Sequence, residues 1–288
     1  MKVQETIIEI NLSNLKSNLD FLKSKISKKT LLMAVVKASA YGSDSLIISR
    51  KLEEQGVDYL AVAYTSEGVE LRENGIKIPI LVLHPQVNDF DKIIHYKLEP
   101  SIYSFRILKA FMSNHNFDPG YPFQIKFNTG LNRLGFYKSQ LEELIESLQK
   151  LKPNFIFSHL GASDDISEKA FTKKQIKEFS LIADIFDSKI GSKIKRHILN
   201  TSGILESFHP LSTSSNLPSD CLVAEIAKDL SSCSFISTIL YCFGEPANFS
   251  PVAVVCDICL LYTYPSPRDA TLSRMPYSAL KKKWGGGG

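Results

Sequence analysis

Apolar positions in the first 205 residues fall into two alternating rhythms. Leu15, Leu19, Leu22 and Ile26 recur at spacings of four, three and four, which predicts an amphipathic helix with Ser13 as its cap. Met33–Val36 follows as a short apolar run that reads as a buried strand. The same alternation then continues. A helix over Leu46–Glu54 ends at Gly56, a strand covers Tyr59–Ala63, a helix over Ser66–Glu73 ends at Gly75, and a strand covers Ile80–Leu83. Further strands are predicted at Pro100–Tyr103, Phe123–Phe127, Phe155–His159 and Arg196–Asn200. One intervening helix carries Leu141, Leu144, Leu148 and Leu151, and another runs over about Phe171–Asp187. Strands alternating with helices imply parallel βα units. Seven such strands suit an α/β fold of the (β/α)8 TIM-type barrel class lacking its eighth strand, with a doubly wound sheet as the alternative.

The rhythm stops after Leu205. Residues 206–258 are serine-rich, without clean βα periodicity, and read as a frameshift or a chimeric join. Residues 281–288 are lysines, Trp284 and glycines, a low-complexity end. This division changes how composition is read. The chain has 288 residues, 44% hydrophobic and 22% charged, which is ordinary globular composition. All five cysteines lie beyond residue 220. The formal charge of +4 is already contained in residues 259–288, where Arg268, Arg274 and Lys281–Lys283 face a single acid, Asp269. The basic balance therefore gives no argument for nucleic acid, and the cysteines give none for disulfides. No run of about 18 apolar residues is present, so no spanning helix or membrane partner is expected. The N-terminus is polar with an early acid, Glu5, and does not read as a signal peptide, so the expected location is cytoplasmic.

In parallel barrels, chemistry sits at the C-terminal ends of strands. Lys37 directly follows the first predicted strand, Lys126 and Arg133 bracket the turn after the fifth, His159 ends the sixth, and His197, Asn200 and Thr201 end the seventh. A lysine after a buried strand can have a lowered pKa and form a Schiff base. A lone lysine there is more often a solvated strand end, and satisfied core histidines are an open alternative for His159 and His197. His84, His95, His115 and His209 show no ligand spacing, so no metal site is expected.

Four segments sharpen this reading. Val35-Val36-Lys37-Ala38-Ser39-Ala40-Tyr41-Gly42 resembles the cofactor-lysine motif of the alanine racemase family, the fold-type III pyridoxal-phosphate enzymes. Phe127-Asn128-Thr129-Gly130-Leu131-Asn132-Arg133-Leu134-Gly135-Phe136 resembles its second motif. Phe157–Asp164 and Arg196–Gly203 resemble the third and fourth, in family order and at family spacing. The resemblance covers about residues 5–205. It implies an isomerase that uses pyridoxal 5'-phosphate to interconvert L- and D-alanine for cell-wall peptidoglycan precursors, as a homodimer. It implies that Lys37 attaches the cofactor and acts as acid or base at the substrate Cα. Tyr41 and Thr201 would hold the cofactor phosphate, and His159 would pack beside the pyridine ring. His197 and Asn200 would line the site, Arg133 would bond the phenolic oxygen, and Lys126 would position Arg133. Asn128 stands where the family usually has Asp, and Leu131 where it has Met.

The family's second base is a tyrosine from the partner subunit's C-terminal β domain. That domain is not recognisable after Leu205, and Tyr241 and Tyr262 lack its surroundings. Cys259–Asp269 and Ser273–Ala279 instead resemble the translation of a sequencing-library adapter, differing at Tyr264 and Tyr277. The expectation is thus a racemase barrel over 1–205, an unassigned join over 206–258, and an adapter-derived, disordered tail over 259–288, the whole being a truncated, inactive version. The competing readings are a single-domain pyridoxal-phosphate-binding homeostasis protein, a non-catalytic fragment, and an aldolase-like barrel using Lys37 without the cofactor.

Overall fold

The computed structural model describes residues 10–149 and 151–207. Seven parallel strands run in sequence order: β1 (Met33–Val35), β2 (Tyr59–Val62), β3 (Ile80–Val82), β4 (Glu99–Ile102), β5 (Gln124–Lys126), β6 (Phe155–Phe157) and β7 (Lys195–His197). Each strand pairs only with its sequence neighbours, as in Met33↔Tyr59 and Phe157↔His197. Neither β1 nor β7 has a second strand partner among the described residues.

The sheet curls. The rings of Tyr59 on β2 and Phe155 on β6 lie 5.5 Å apart. Strands four places apart in a flat sheet would be separated by about 19 Å. Met33, Val35, Ala61, Leu81 and Phe157, contributed by β1, β2, β3 and β6, likewise form one buried cluster inside the curl. The alternate residues, including Ala34, Leu60, Val62, Ile80, Ile125 and Ile156, face outward into a second and larger core shared with the helices. Both faces of each strand are therefore covered, which explains the apolar runs in the sequence. The sequential strand order and the packed interior reject the doubly wound alternative, whose order reverses at a switch point. The architecture is that of a TIM-type barrel without an eighth strand among the described residues.

Local chemistry sets the boundaries. The first helix, Leu12–Ser24, is capped by Asn11, whose side chain accepts from the N–H groups of Ser13 and Asn14; Ser13, the predicted cap, lies inside the helix. Asp44 caps Ser45–Glu54 in the same way. The helix begun by Leu141 ends at Ser147, so Leu148 and Leu151 are buried beyond its end rather than on it. A longer helix, Lys169–Ile190, terminates at Gly191 in the left-handed conformation. Residues 206–258 and 259–288, to which the sequence assigned a join and a tail, lie outside the described residues except for the backbone of Glu206 and Ser207.

Candidate active site

The chain leaves β1 through a turn of unusual hand. Ala38, Ser39, Ala40 and Tyr41 all have φ between 50° and 59°. Left-handed backbone costs a non-glycine residue about 1–2 kcal/mol, so four in succession persist only where surrounding contacts impose them. Glu67, in the first turn of helix Thr65–Glu73, supplies such contacts. Its Oε1 accepts from Ala38 N–H at 2.7 Å, and its Oε2 accepts from Ala63 N–H at 2.6 Å and Tyr64 N–H at 3.1 Å. One carboxylate thus ties the residue after Lys37 to the end of β2. Glu67→Ala should cost on the order of 2 kcal/mol, because it strips an ionised acceptor from three backbone donors. It should also speed hydrogen exchange at Ala38. Unchanged exchange at Ala38 would contradict this role.

Lys37 emerges into a pocket at the C-terminal mouth of the curl, with about 520 Å³ of space between atoms, part of it open to solvent. Lys126, Arg133, His159, His197 and Asn200 line it as well, over a floor that includes Val35, Ala61, Leu83 and Phe157. Lys126 is buried on β5, with its ammonium 5.5 Å from the Phe157 ring centre. Arg133 rides on the loop after β5. Asn128 ties this loop down: its Oδ1 accepts from Gly130 N–H and Asn132 N–H, and its Nδ2 donates to Asn132 Oδ1. Asn128 thus serves as a turn residue, a role that an amide fills without needing an acid.

His197 is stacked on Phe157, with centroids 4.5 Å apart and planes 8° apart. Burial, followed by the charge of Lys126 and by His159, pushes its pKa down to about 3, so the ring is neutral at physiological pH. Asn200 Oδ1 accepts from Ser163 Oγ at 2.6 Å and from Gly203 N–H at 2.9 Å. Tyr41 and Thr201 adjoin this group without lining it. The Tyr41 ring centre lies 5.5 Å from Lys37 Nζ. Thr201 follows Asn200 at the start of helix Thr201–Ser207.

This arrangement has known relatives. The family model for the alanine racemase N-terminal domain matches residues 10–216. The chain belongs to the alanine racemase family. It is similar to alanine racemases of Thermodesulfovibrio yellowstonii, at 35% identity over 203 residues, and of Clostridium kluyveri, at 36% over 207. These alignments cover 68% and 69% of this chain but 54% and 52% of the relatives, so the chain spans about half their length. Among solved structures it resembles alanine racemase of Clostridium difficile, at 30% identity with a TM-score of 0.65, covering 77% of this chain and 58% of that one. It has the same fold as the Bacillus anthracis alanine racemase with bound L-Ala-P, at 23% identity and a TM-score of 0.66, covering 78% and 58%.

The pocket of this alanine racemase domain fits a phosphorylated aromatic cofactor. Three cationic side chains, Lys37, Lys126 and Arg133, line it, and no acid is among its described lining residues. Thr201 Oγ1, beside it, is buried with no hydrogen-bond partner among the described residues, an incomplete state for a hydroxyl. No cluster of metal-ligating side chains occurs among the described residues. Sequence reasoning missed Glu67, although an acid at the third position of a helix is a legible first-turn signal. It also missed Glu99 and Gln124, polar side chains buried inside the barrel, for which the apolar rhythm gave no cue.

Proposed function

We propose that this domain binds pyridoxal 5'-phosphate through Lys37 and supplies one face of the acid–base chemistry of an alanine racemase. The observation that carries the reading is the gathering of Lys37, Lys126, Arg133, His159, His197 and Asn200 around one pocket. When bound, the cofactor supplies an electron sink that weakens the Cα–H bond of an attached amino acid. The chain's own residues do the rest. Lys37 would hold the cofactor through its amine and would move a proton at the substrate Cα on one face. Arg133 would hydrogen-bond the cofactor's phenolic oxygen and Lys126 would position Arg133. The Thr201 hydroxyl, with Tyr41, would hold the phosphate. His197, stacked on Phe157, remains neutral and adds no charge to the pocket, while His159 and Asn200 would line the cofactor site.

Racemisation needs a proton-transfer group on each face of Cα. The family resemblance puts the second in a C-terminal domain of a partner subunit, so the complete enzyme works as a homodimer. Its substrate is alanine, its product serves cell-wall precursor synthesis, and it acts in the cytoplasm. The relatives' names support the substrate class. Among the described residues, no helix is long and apolar enough to cross a membrane.

Exchange of the α-hydrogen tests the reading without needing both bases. In deuterium oxide with pyridoxal phosphate, the chain should exchange the α-hydrogen of at least one alanine enantiomer well above the rate with cofactor alone, as followed by proton NMR. Exchange no faster than cofactor alone for both enantiomers would contradict the proposal.

A further inference from the structure

The inward positions of β4, β5 and β7 carry three buried polar side chains, Glu99, Gln124 and His197, that reach from below the pocket to its lining. Glu99, Gln124 and His197 are 4%, 0% and 5% exposed. His197 Nε2 lies 2.7 Å from Gln124 Oε1. A carboxamide oxygen accepts and never donates, so the proton in this contact sits on Nε2. Were the amide reversed, its NH₂ would donate to Nε2, and the neutral ring would carry its proton on Nδ1. The orientation of Gln124 therefore decides the tautomer of a pocket residue.

Glu99 decides the orientation of Gln124. The side chains of Gln124, Tyr59 and Asn154 lie close enough to act on its carboxyl electrostatically. Glu99 Oε1 and Gln124 Nε2 are both buried with no hydrogen-bond partner among the described residues. One is an acceptor and the other a donor, so pairing them would satisfy both. Turning the amide over would instead set its oxygen against a carboxyl oxygen. Burial raises the Glu99 pKa to about 7, against the smaller opposing effects of its hydrogen-bonding neighbours and Lys195. The carboxylate form only accepts and so selects the amide's NH₂, whereas the neutral form also has an O–H that donates; the selection belongs to the carboxylate.

We propose that Glu99 and Gln124 are positioning residues that lock the proton of His197 on Nε2, leaving Nδ1 as the acceptor of the ring. His197 then offers its one remaining polar atom only to hydrogen-bond donors, such as a guanidinium, an ammonium or a protonated ring nitrogen, and turns away carboxylate and phosphate oxygens. The consequence for the cofactor rests on the function proposed above. The tautomer itself does not, and it can be read without cofactor.

The test is ¹⁵N–¹H correlation NMR on the ¹⁵N-histidine-labelled 288-residue chain near pH 7, with the His197 signals identified by their loss in His197→Asn. Wild type should show a protonated Nε2 and an unprotonated Nδ1. Gln124→Leu and Glu99→Leu should each shift population toward the Nδ1-protonated form. Glu99→Gln, which retains an acceptor, should keep the wild-type pattern. Circular dichroism checks that the variants fold, and the wild-type spectrum decides the first point if a leucine variant does not. A wild-type His197 protonated on Nδ1, or on both nitrogens, would overturn the proposal. So would a pattern unchanged in both folded leucine variants. A shift in Gln124→Leu but not in folded Glu99→Leu would remove Glu99 from it.

Discussion

Replacing Gly135 with alanine should lower the thermal midpoint by roughly 10 °C and dismantle the loop that carries Arg133. Gly135 has φ of +121°, outside the range open to other residues, and the space for a side chain is already taken. A Cβ there would lie 2.7 Å from Phe127 C, 2.8 Å from Asn128 N and 3.0 Å from Lys126 O, all of them backbone atoms. This backbone cannot yield cheaply. Phe136 N–H donates to Lys126 O, and Asn128 N–H donates to Phe136 O, each at 2.9 Å, clamping the loop against the end of β5. The strained backbone costs about 1–3 kcal/mol and the overpacking about as much again. For a domain of this size, each 1 kcal/mol shifts the midpoint by about 2–4 °C. Gly75→Ala is the control: Gly75 also has positive φ, at +90°, but nothing lies within 4 Å of the added Cβ. Gly135→Ala should therefore melt well below Gly75→Ala. Equal midpoints would show that the clamp tolerates a side chain.

Replacing Lys37 with alanine should abolish covalent cofactor attachment and slow α-hydrogen exchange by at least about 10²–10⁴-fold, the usual loss when a positioned acid–base group is removed. Its position explains why neighbouring cations should not substitute. Lys126 shares the pocket but is buried at the end of β5 against the Phe157 ring. Lys37 stands at the start of the left-handed turn, next to a residue whose N–H is held by Glu67. The fold is already committed at Val35, the last residue of β1, so Lys37→Ala should leave the far-ultraviolet circular dichroism spectrum unchanged. Retained exchange activity in a folded Lys37→Ala protein would move the chemistry to another residue.

Much of this domain was legible from spacing alone. Seven strand runs, four of them followed by a helix read from the sequence, were enough for the parallel architecture, and polar residues just past those strands marked the mouth of the pocket. The boundaries were less legible, because caps compete locally: Asn11 and Ser13 are both good caps, and only the backbone path selects Asn11. The turn after Lys37 could not be read from its own residues. Ala38-Ser39-Ala40-Tyr41 contains no glycine, and local preference points to right-handed helix. A carboxylate 29 positions away in sequence participates in holding it otherwise. Glu99 and Gln124 were hidden for a related reason. Inside a curled sheet, a polar residue can find partners on strands distant in sequence, as Gln124 finds His197 across 73 positions. The family match extends to residue 216, beyond Leu205, where the βα rhythm ceases to be readable.

The central claim is that Lys37 is the point of cofactor attachment. The direct measurement is borohydride reduction of the chain loaded with pyridoxal phosphate, followed by proteolysis and mass spectrometry of every lysine-containing peptide. The added phosphopyridoxyl mass should appear on the peptide that carries Lys37, stoichiometric with bound cofactor and absent there in Lys37→Ala. Label concentrated on Lys126 or on another lysine, with Lys37 unmodified, would contradict it.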